Sequence, residues 1–219
     1  MKQHFVLKKK YKLHRLKLRY SNKALVLLPV PGFCLFIVLY LIAASLYPGG
    51  SEADRLAQGF SWRHNYWCDL LETHAENGTP NMARPVAIAA MAVLCASIIL
   101  FWYFVPRLFK TGLLLERLLQ WPGMLSMVVL VFLQTGYHDT IINTAVILGL
   151  IAMIVALVLL YSNHYYLIFS LGLFCLLLCG LNIYVYYTKN WIGWLPVIQK
   201  ISFFLFLLWF SLISCKAYD

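Results

Sequence analysis

Apolar residues in this chain gather into six long runs, at about 24–46, 85–105, 118–136, 140–161, 165–187 and 194–215, separated by short polar or Gly- and Pro-marked stretches. Each run approaches or exceeds the roughly 20 residues with which a helix crosses a hydrocarbon core of about 30 Å. The expected fold is an all-α polytopic membrane bundle of six transmembrane helices, with a short interfacial helix in the first outer loop. Three parts follow: a basic segment 1–23, a six-helix domain 24–215 in which the loop 47–84 forms a lid, and a tail 216–219. Pro85 falls where the second helix should begin, a position whose amide has no intrahelical partner. Pro122, inside Trp121-Pro122-Gly123, is expected to kink or delay the third helix rather than end it. Small residues four apart, Ala92 with Ala96, Ala145 with Gly149 and Ala152 with Ala156, predict close helix contacts.

Composition agrees with the pattern, since 62% of the 219 residues are hydrophobic and only 12% are charged. A soluble domain has about half and about a quarter. Charge adds the orientation. Nine of the eighteen Lys and Arg residues lie in the first 23 positions, from Lys2 to Lys23, with no acid among them. Just ahead of a membrane span, such a run is held in the cytoplasm and attracted to anionic lipid headgroups, so nucleic acid is not the expected partner. Arg107, Lys110, Arg117 and Lys216 then also fall inside, and both termini are expected in the cytoplasm, with the protein in a plasma or inner membrane. The charged region and the apolar run after it are both too long for a cleaved signal peptide. Cys34, Cys95, Cys175, Cys179 and Cys215 sit in apolar runs as packing residues, and only Cys68 lies in a loop.

The only long connection, Tyr47 to Arg84, holds the densest chemistry of the chain, Ser61-Trp62-Arg63-His64-Asn65-Tyr66-Trp67-Cys68-Asp69-Leu70-Leu71-Glu72-Thr73-His74. Its aromatics suit a membrane interface, and residues 60–74 are read as a short helix on or in the outer surface of the bundle. Helical spacing would align Asn65 with Asp69 and set His64 beside Cys68. Asn77-Gly78-Thr79 also fits a glycosylation acceptor. Polar residues of the later spans sit toward the same outer end: Gln134, Thr135, His138, Asp139, Asn143, Asn182, Gln199 and Lys200. The inner half carries almost none. Because polar groups are costly in a bilayer, this asymmetry predicts an outward-facing polar pocket capped by the loop.

The run Asn65-Tyr66-Trp67-Cys68-Asp69-Leu70, then Asn77-Gly78, then Asn81-x-x-Arg84 before an Ala-rich span, resembles the superfamily of the FGF-receptor-activating protein, the DRAM autophagy modulators and a bacterial family of unknown function. Members resemble one another in an N-x-x-[SC]-D-L sequence after the first span and an Asn before the second. The likeness covers the first two spans and the hydrophobic plan of the rest; many relatives would have Ser and Gly at Cys68 and Leu71. It implies a six-helix fold, with links to lipid or GPI-anchor remodelling in some members. A second likeness is to the CREST membrane hydrolases, whose metal site uses an H-x-x-x-H pair on a late span. This chain lacks that pair.

Three chemistries compete at the outer end. In the first, Asn65, Asp69, Arg84, Lys200, Asn143 and Gln134 bind a lipid headgroup or other amphiphile, with His138 and Asp139 as acid and base if a reaction occurs. In the second, His64, His74 and His138 hold a hydrolytic zinc. In the third, the chain is a noncatalytic scaffold or assembly subunit that offers its basic segment and Trp-rich loop to a membrane-protein partner. A serine nucleophile lacks the G-x-S-x-G elbow, and an ion path lacks ionisable groups in the inner half.

Overall fold

The computed structural model describes residues 23–109, 111–134 and 138–219; the basic segment 1–22 lies outside that description, as do the side chains of 23, 133, 134 and 138. Among the described residues six α-helices follow one another: α1 Pro29–Ser45, α2 Arg84–Phe104, α3 Leu113–Leu130, α4 His138–Ser162, α5 Tyr166–Thr188 and α6 Leu195–Tyr218. With the 3-10 turns that extend some of them, six segments are long and apolar enough to cross a membrane: Ala24–Ser45, Arg84–Leu108, Leu113–Leu130, Asp139–Ser162, Tyr166–Thr188 and Ile192–Tyr218. The third differs from its expected start because the helix already takes in Glu116 and Arg117 ahead of its apolar stretch. Gln120 stays compatible with that position by donating from Nε2 to the Tyr103 carbonyl at 2.8 Å. Pro122 neither ends nor delays α3, which runs through it.

Each helix packs along the next, and α6 returns to α1, so the bundle closes. The inward stripe of α1 is Phe33, Phe36, Tyr40, Ala43 and, just past the helix, Tyr47, a spacing of three and four that keeps one face on the core. Phe101 of α2 meets Phe210 of α6 with ring centroids 4.5 Å apart, and Trp102 stands 5.8 Å from the same ring. Outward faces carry Leu35, Val38, Ile147, Ile154 and Leu177, an apolar exterior that suits lipid and not water.

Close approaches occur where side chains are missing. A Cβ on Gly123 would stand 2.4 Å from the Trp102 ring, and one on Gly172 would stand 2.6 Å from Trp209 Nε1 and 2.8 Å from Leu157 Cδ2. Trp209 is held in that position by donating to the Ile168 carbonyl at 2.8 Å. Ala145, Ala152 and Ala156 are buried as expected of small contact residues, whereas Ala92 and Ala96 face outward. Substituting Gly172→Val should therefore separate α5 from α6 and cost about 1–3 kcal/mol, the range for overpacking. Thermal unfolding in detergent checks this; an unchanged midpoint would show that the two helices tolerate a branched side chain at the crossing.

Candidate functional site

The chain between α1 and α2 is fastened to itself before it is fastened to the bundle. It leaves α1 through Pro48-Gly49-Gly50, where Gly50 has a φ of +85° and a Cβ would stand 2.3 Å from the Asn77 nitrogen. Only glycine fits both that backbone conformation and that crossing. Around it, Gly50 N–H donates to Ala57 O at 2.8 Å and Asn77 N–H to Gly49 O at 3.3 Å, so the first and last thirds of the loop are tied together. Tyr47 adds a further tie, its hydroxyl oxygen accepting Glu76 N–H at 3.0 Å. Burial raises the Tyr47 pKa above the usual phenol range, which keeps the hydroxyl neutral.

Asn65 is the centre of this arrangement, fully buried and with its side-chain amide committed on every side. Its Oδ1 accepts Ser61 N–H at 2.8 Å; its Nδ2 donates to Gly50 O and to Asp69 Oδ2, both at 2.8 Å. Asp69 Oδ2 also accepts Tyr66 N–H at 2.9 Å. Lys200, from the first turns of α6, donates from Nζ to the Asn65 carbonyl and to Pro196 O at 3.1 Å. Lys200 and Asp69 are 6% and 8% exposed, so two ionisable groups of opposite sign are buried within one hydrogen-bonded cluster and joined through one asparagine. Burial of that kind is expensive unless the hydrogen bonds are supplied, and here backbone and amide groups supply most of them. Asp69 Oδ1 and the third N–H of Lys200 have no hydrogen-bond partner among the described residues.

Asn81 repeats the device at the loop's other end. Its Nδ2 donates to Asp69 O at 3.0 Å and Glu72 O at 2.9 Å, and its Oδ1 accepts Ala83 N–H at 3.0 Å at the start of α2. Arg84 Nε donates to Leu71 O at 3.0 Å. Residues 60–74 consequently do not make one continuous helix. They form turns and a single 3-10 turn, Cys68–Leu71, because the Asn65, Asp69 and Asn81 side chains take up backbone groups that a helix would pair internally.

Trp67 drives the loop into the bundle. Its ring lies 3.6 Å from that of Tyr40 and 5.9 Å from that of Phe36 on α1, and 4.9 and 5.9 Å from those of Phe203 and Phe204 on α6. It thus wedges the seam where the first and last helices meet. Phe60 continues the aromatic wall, 5.2 Å from Trp62 and 5.5 Å from Lys200 Nζ. Arg63 stacks over Trp194 at 5.1 Å, binding the loop to the turn before α6. Two buried polar atoms on the wedge are unpaired among the described residues, Tyr40 Oη and Trp67 Nε1.

The expected site residues separate into groups. Asn65, Asp69, Arg84 and Lys200 come together under the loop, and Asn65 and Arg84 do so as fasteners of its backbone. Asp139 and Asn143 lie exposed at the same end, and Asp139 faces Tyr186 of α5, whose hydroxyl is 3.5 Å from both carboxylate oxygens. The side chains of Gln134 and His138, and the whole of Thr135, are outside the described residues. Asn182 joins α5 to α6 through Ser202 Oγ at 2.8 Å.

The zinc set finds no grouping here: no three His, Cys, Asp or Glu side chains among the described residues come together as ligands. His64 Nδ1 lies 3.3 Å from Ser61 Oγ, His74 is exposed at the far end of the loop, and His138 is not described. Burial, helped by the Asp69 carboxylate, pushes the Cys68 thiol up to about 12, so it stays protonated at neutral pH. The sequence reading did not single out Tyr40, Tyr47 or Asn81 as site residues. Tyr40 and Tyr47 look like ordinary interfacial aromatics until the loop folds back on them. Comparison with protein-family models, with curated proteins and with solved structures finds no match to this chain.

Proposed function

We propose that this chain is an integral membrane protein that binds the headgroup of a lipid or similar amphiphile beneath its long loop. One observation carries the reading: the Asp69–Asn65–Lys200 cluster is buried, carries both signs of charge, and keeps one acceptor and one donor position open. A carboxyl group and an ammonium group buried in one cluster, each with hydrogen-bonding capacity left over, suit a group that is itself both donor and acceptor, or zwitterionic. Asn65 and Arg84 serve as positioning residues, since their side chains hold the loop that presents Asp69. The likeness of Asn65 to Leu70 and Asn81-x-x-Arg84 to the FGF-receptor-activating-protein superfamily supports a lipid-related role. Any reaction would draw on Asp139 and His138 at the same end. A basic segment 1–23 retained in the cytoplasm would leave the loop on the opposite side of the membrane.

The same hydrogen bonds favour a second reading, a noncatalytic assembly subunit, because Asn65, Asn81 and Arg84 are all used to shape the loop surface. Native mass spectrometry of the purified full chain separates the two. Lys200→Met and Asp69→Asn should each reduce co-purifying lipid at least tenfold, the two variants remaining folded. Undiminished lipid in both would sink the headgroup site and leave the assembly reading in place.

A further inference from the structure

We infer that Tyr40 and Trp67 form a second, deeper subsite that takes the acyl carbonyl oxygen of the bound lipid. The inference rests on the amphiphile reading above and adds the part of the molecule that lies below the headgroup. Tyr40 is only 5% exposed, yet its hydroxyl has no hydrogen-bond partner; the indole N–H of Trp67, on the ring it touches, has none either. A buried donor without an acceptor is destabilising, and two on contacting rings are not expected in a wedge whose only role is packing. Phe at position 40 would fill the same space without that penalty.

Depth and access specify the ligand. Tyr40 lies five residues before Ser45, the end of α1, which at 1.5 Å per residue sets it about 7.5 Å below the helix end. That is the level at which a lipid carries its acyl linkages when its headgroup sits among the loop residues. The seam it occupies faces the bilayer: Phe204, one ring beyond Trp67, is 41% exposed. Both unpaired groups are neutral donors on contacting rings, and a carbonyl oxygen entering by that seam would bring two lone pairs to accept with. Lys200 Nζ, 5.5 Å from the Phe60 ring and bonded to the Asn65 carbonyl, belongs to the headgroup cluster and not to this subsite. The arrangement would discriminate by linkage as well as by headgroup, since an ether oxygen is a poorer acceptor and leaves the two donors unpaired.

The test offers the full-length protein an equal mixture of a diacyl phosphatidylcholine and its dialkyl ether analogue, matched in headgroup and chain, and measures retained lipid by native mass spectrometry. The wild type should keep the diester about tenfold over the diether. Tyr40→Phe removes an oxygen that bonds to nothing in the protein, so it should melt at or above the wild-type temperature while losing most of that preference; Trp67→Phe should lose the preference with some loss of stability from the smaller ring. Equal retention of the two lipids by the wild type would overturn the inference, assigning the donors to buried water. So would a Tyr40→Phe variant that keeps the full preference. Retention of neither lipid would instead overturn the headgroup reading on which it rests.

Discussion

Replacing Asn65 with alanine is expected to release the 47–83 loop, with a loss of about 3–5 kcal/mol in stability and rapid amide exchange from Gly50 to Asn81. Three hydrogen bonds of a fully buried amide disappear together, and their partners are left inside: Ser61 N–H, Gly50 O and Asp69 Oδ2. Each unmet buried group costs about 1–3 kcal/mol, and water entering the gap recovers part of the sum. The effect should travel. Asp69 would lose one of its two donors, and the carbonyl that accepts from Lys200 would lose its fixed position. Asn81→Ala should loosen only the segment beside α2, because its bonds run to Asp69, Leu70 and Glu72 carbonyls and the Ala83 amide. Hydrogen exchange resolved by peptide distinguishes the two patterns. Wild-type protection across residues 48–70 in the Asn65→Ala variant would show that the loop is held by its aromatic wedge alone.

Much of the fold follows from run length, since a bilayer permits few alternatives to a helix that pairs its own backbone. Ends were less legible: Glu116 and Arg117 read as loop residues because charge is costly in a span, yet they form the first turns of α3. The polar asymmetry of the later spans puts Lys200 at the loop's end of the chain's sixth span, where its Nζ donates to the Asn65 carbonyl. What it left open was which hydrogen bonds each group makes. Asn65 and Asp69 are four apart, so helical spacing brings them together, and they are hydrogen-bonded to each other; but the contact arises in a turn that their own side chains build.

The candidate site was half visible for the same reason. Residues with unusual chemistry announce themselves by type, as Asp69 and Lys200 do inside an apolar chain. Tyr40 and Trp67 do not, because an aromatic near a membrane surface has an interfacial explanation. Their unpaired donors exist only once the loop has inserted Trp67 between α1 and α6, a contact between elements more than 130 residues apart in sequence along the α6 side. Nor does sequence spacing register that His64 and His74 occupy different parts of the loop.

Asp69 should give the protein a stability that falls as pH rises through the range from 4 to about 6. Burial raises its carboxyl from the ordinary 3.8 to about 6, with Glu76 and Glu52 adding to the shift and the bonds from Asn65 and Tyr66 opposing it. Between those two values the folded chain holds a proton that the unfolded chain has released. Stability from this group is therefore complete below pH 4, declines across the interval and levels off above pH 7, an overall difference of about 3 kcal/mol. Asp69→Asn should remove the slope, because its amide oxygen can still accept from Asn65 Nδ2 and Tyr66 N–H but cannot ionise. At pH 7.5 it should be at least as stable as the wild type, whereas Asp69→Ala, with no acceptor, should be about 2 kcal/mol less stable. Subtracting each variant's unfolding curve from that of the wild type isolates the contribution of this carboxyl. If Asp69→Asn proved as damaging as Asp69→Ala at pH 7.5, the negative charge itself, through Lys200, would be what holds the loop. The headgroup site would then need a ligand that leaves that attraction intact.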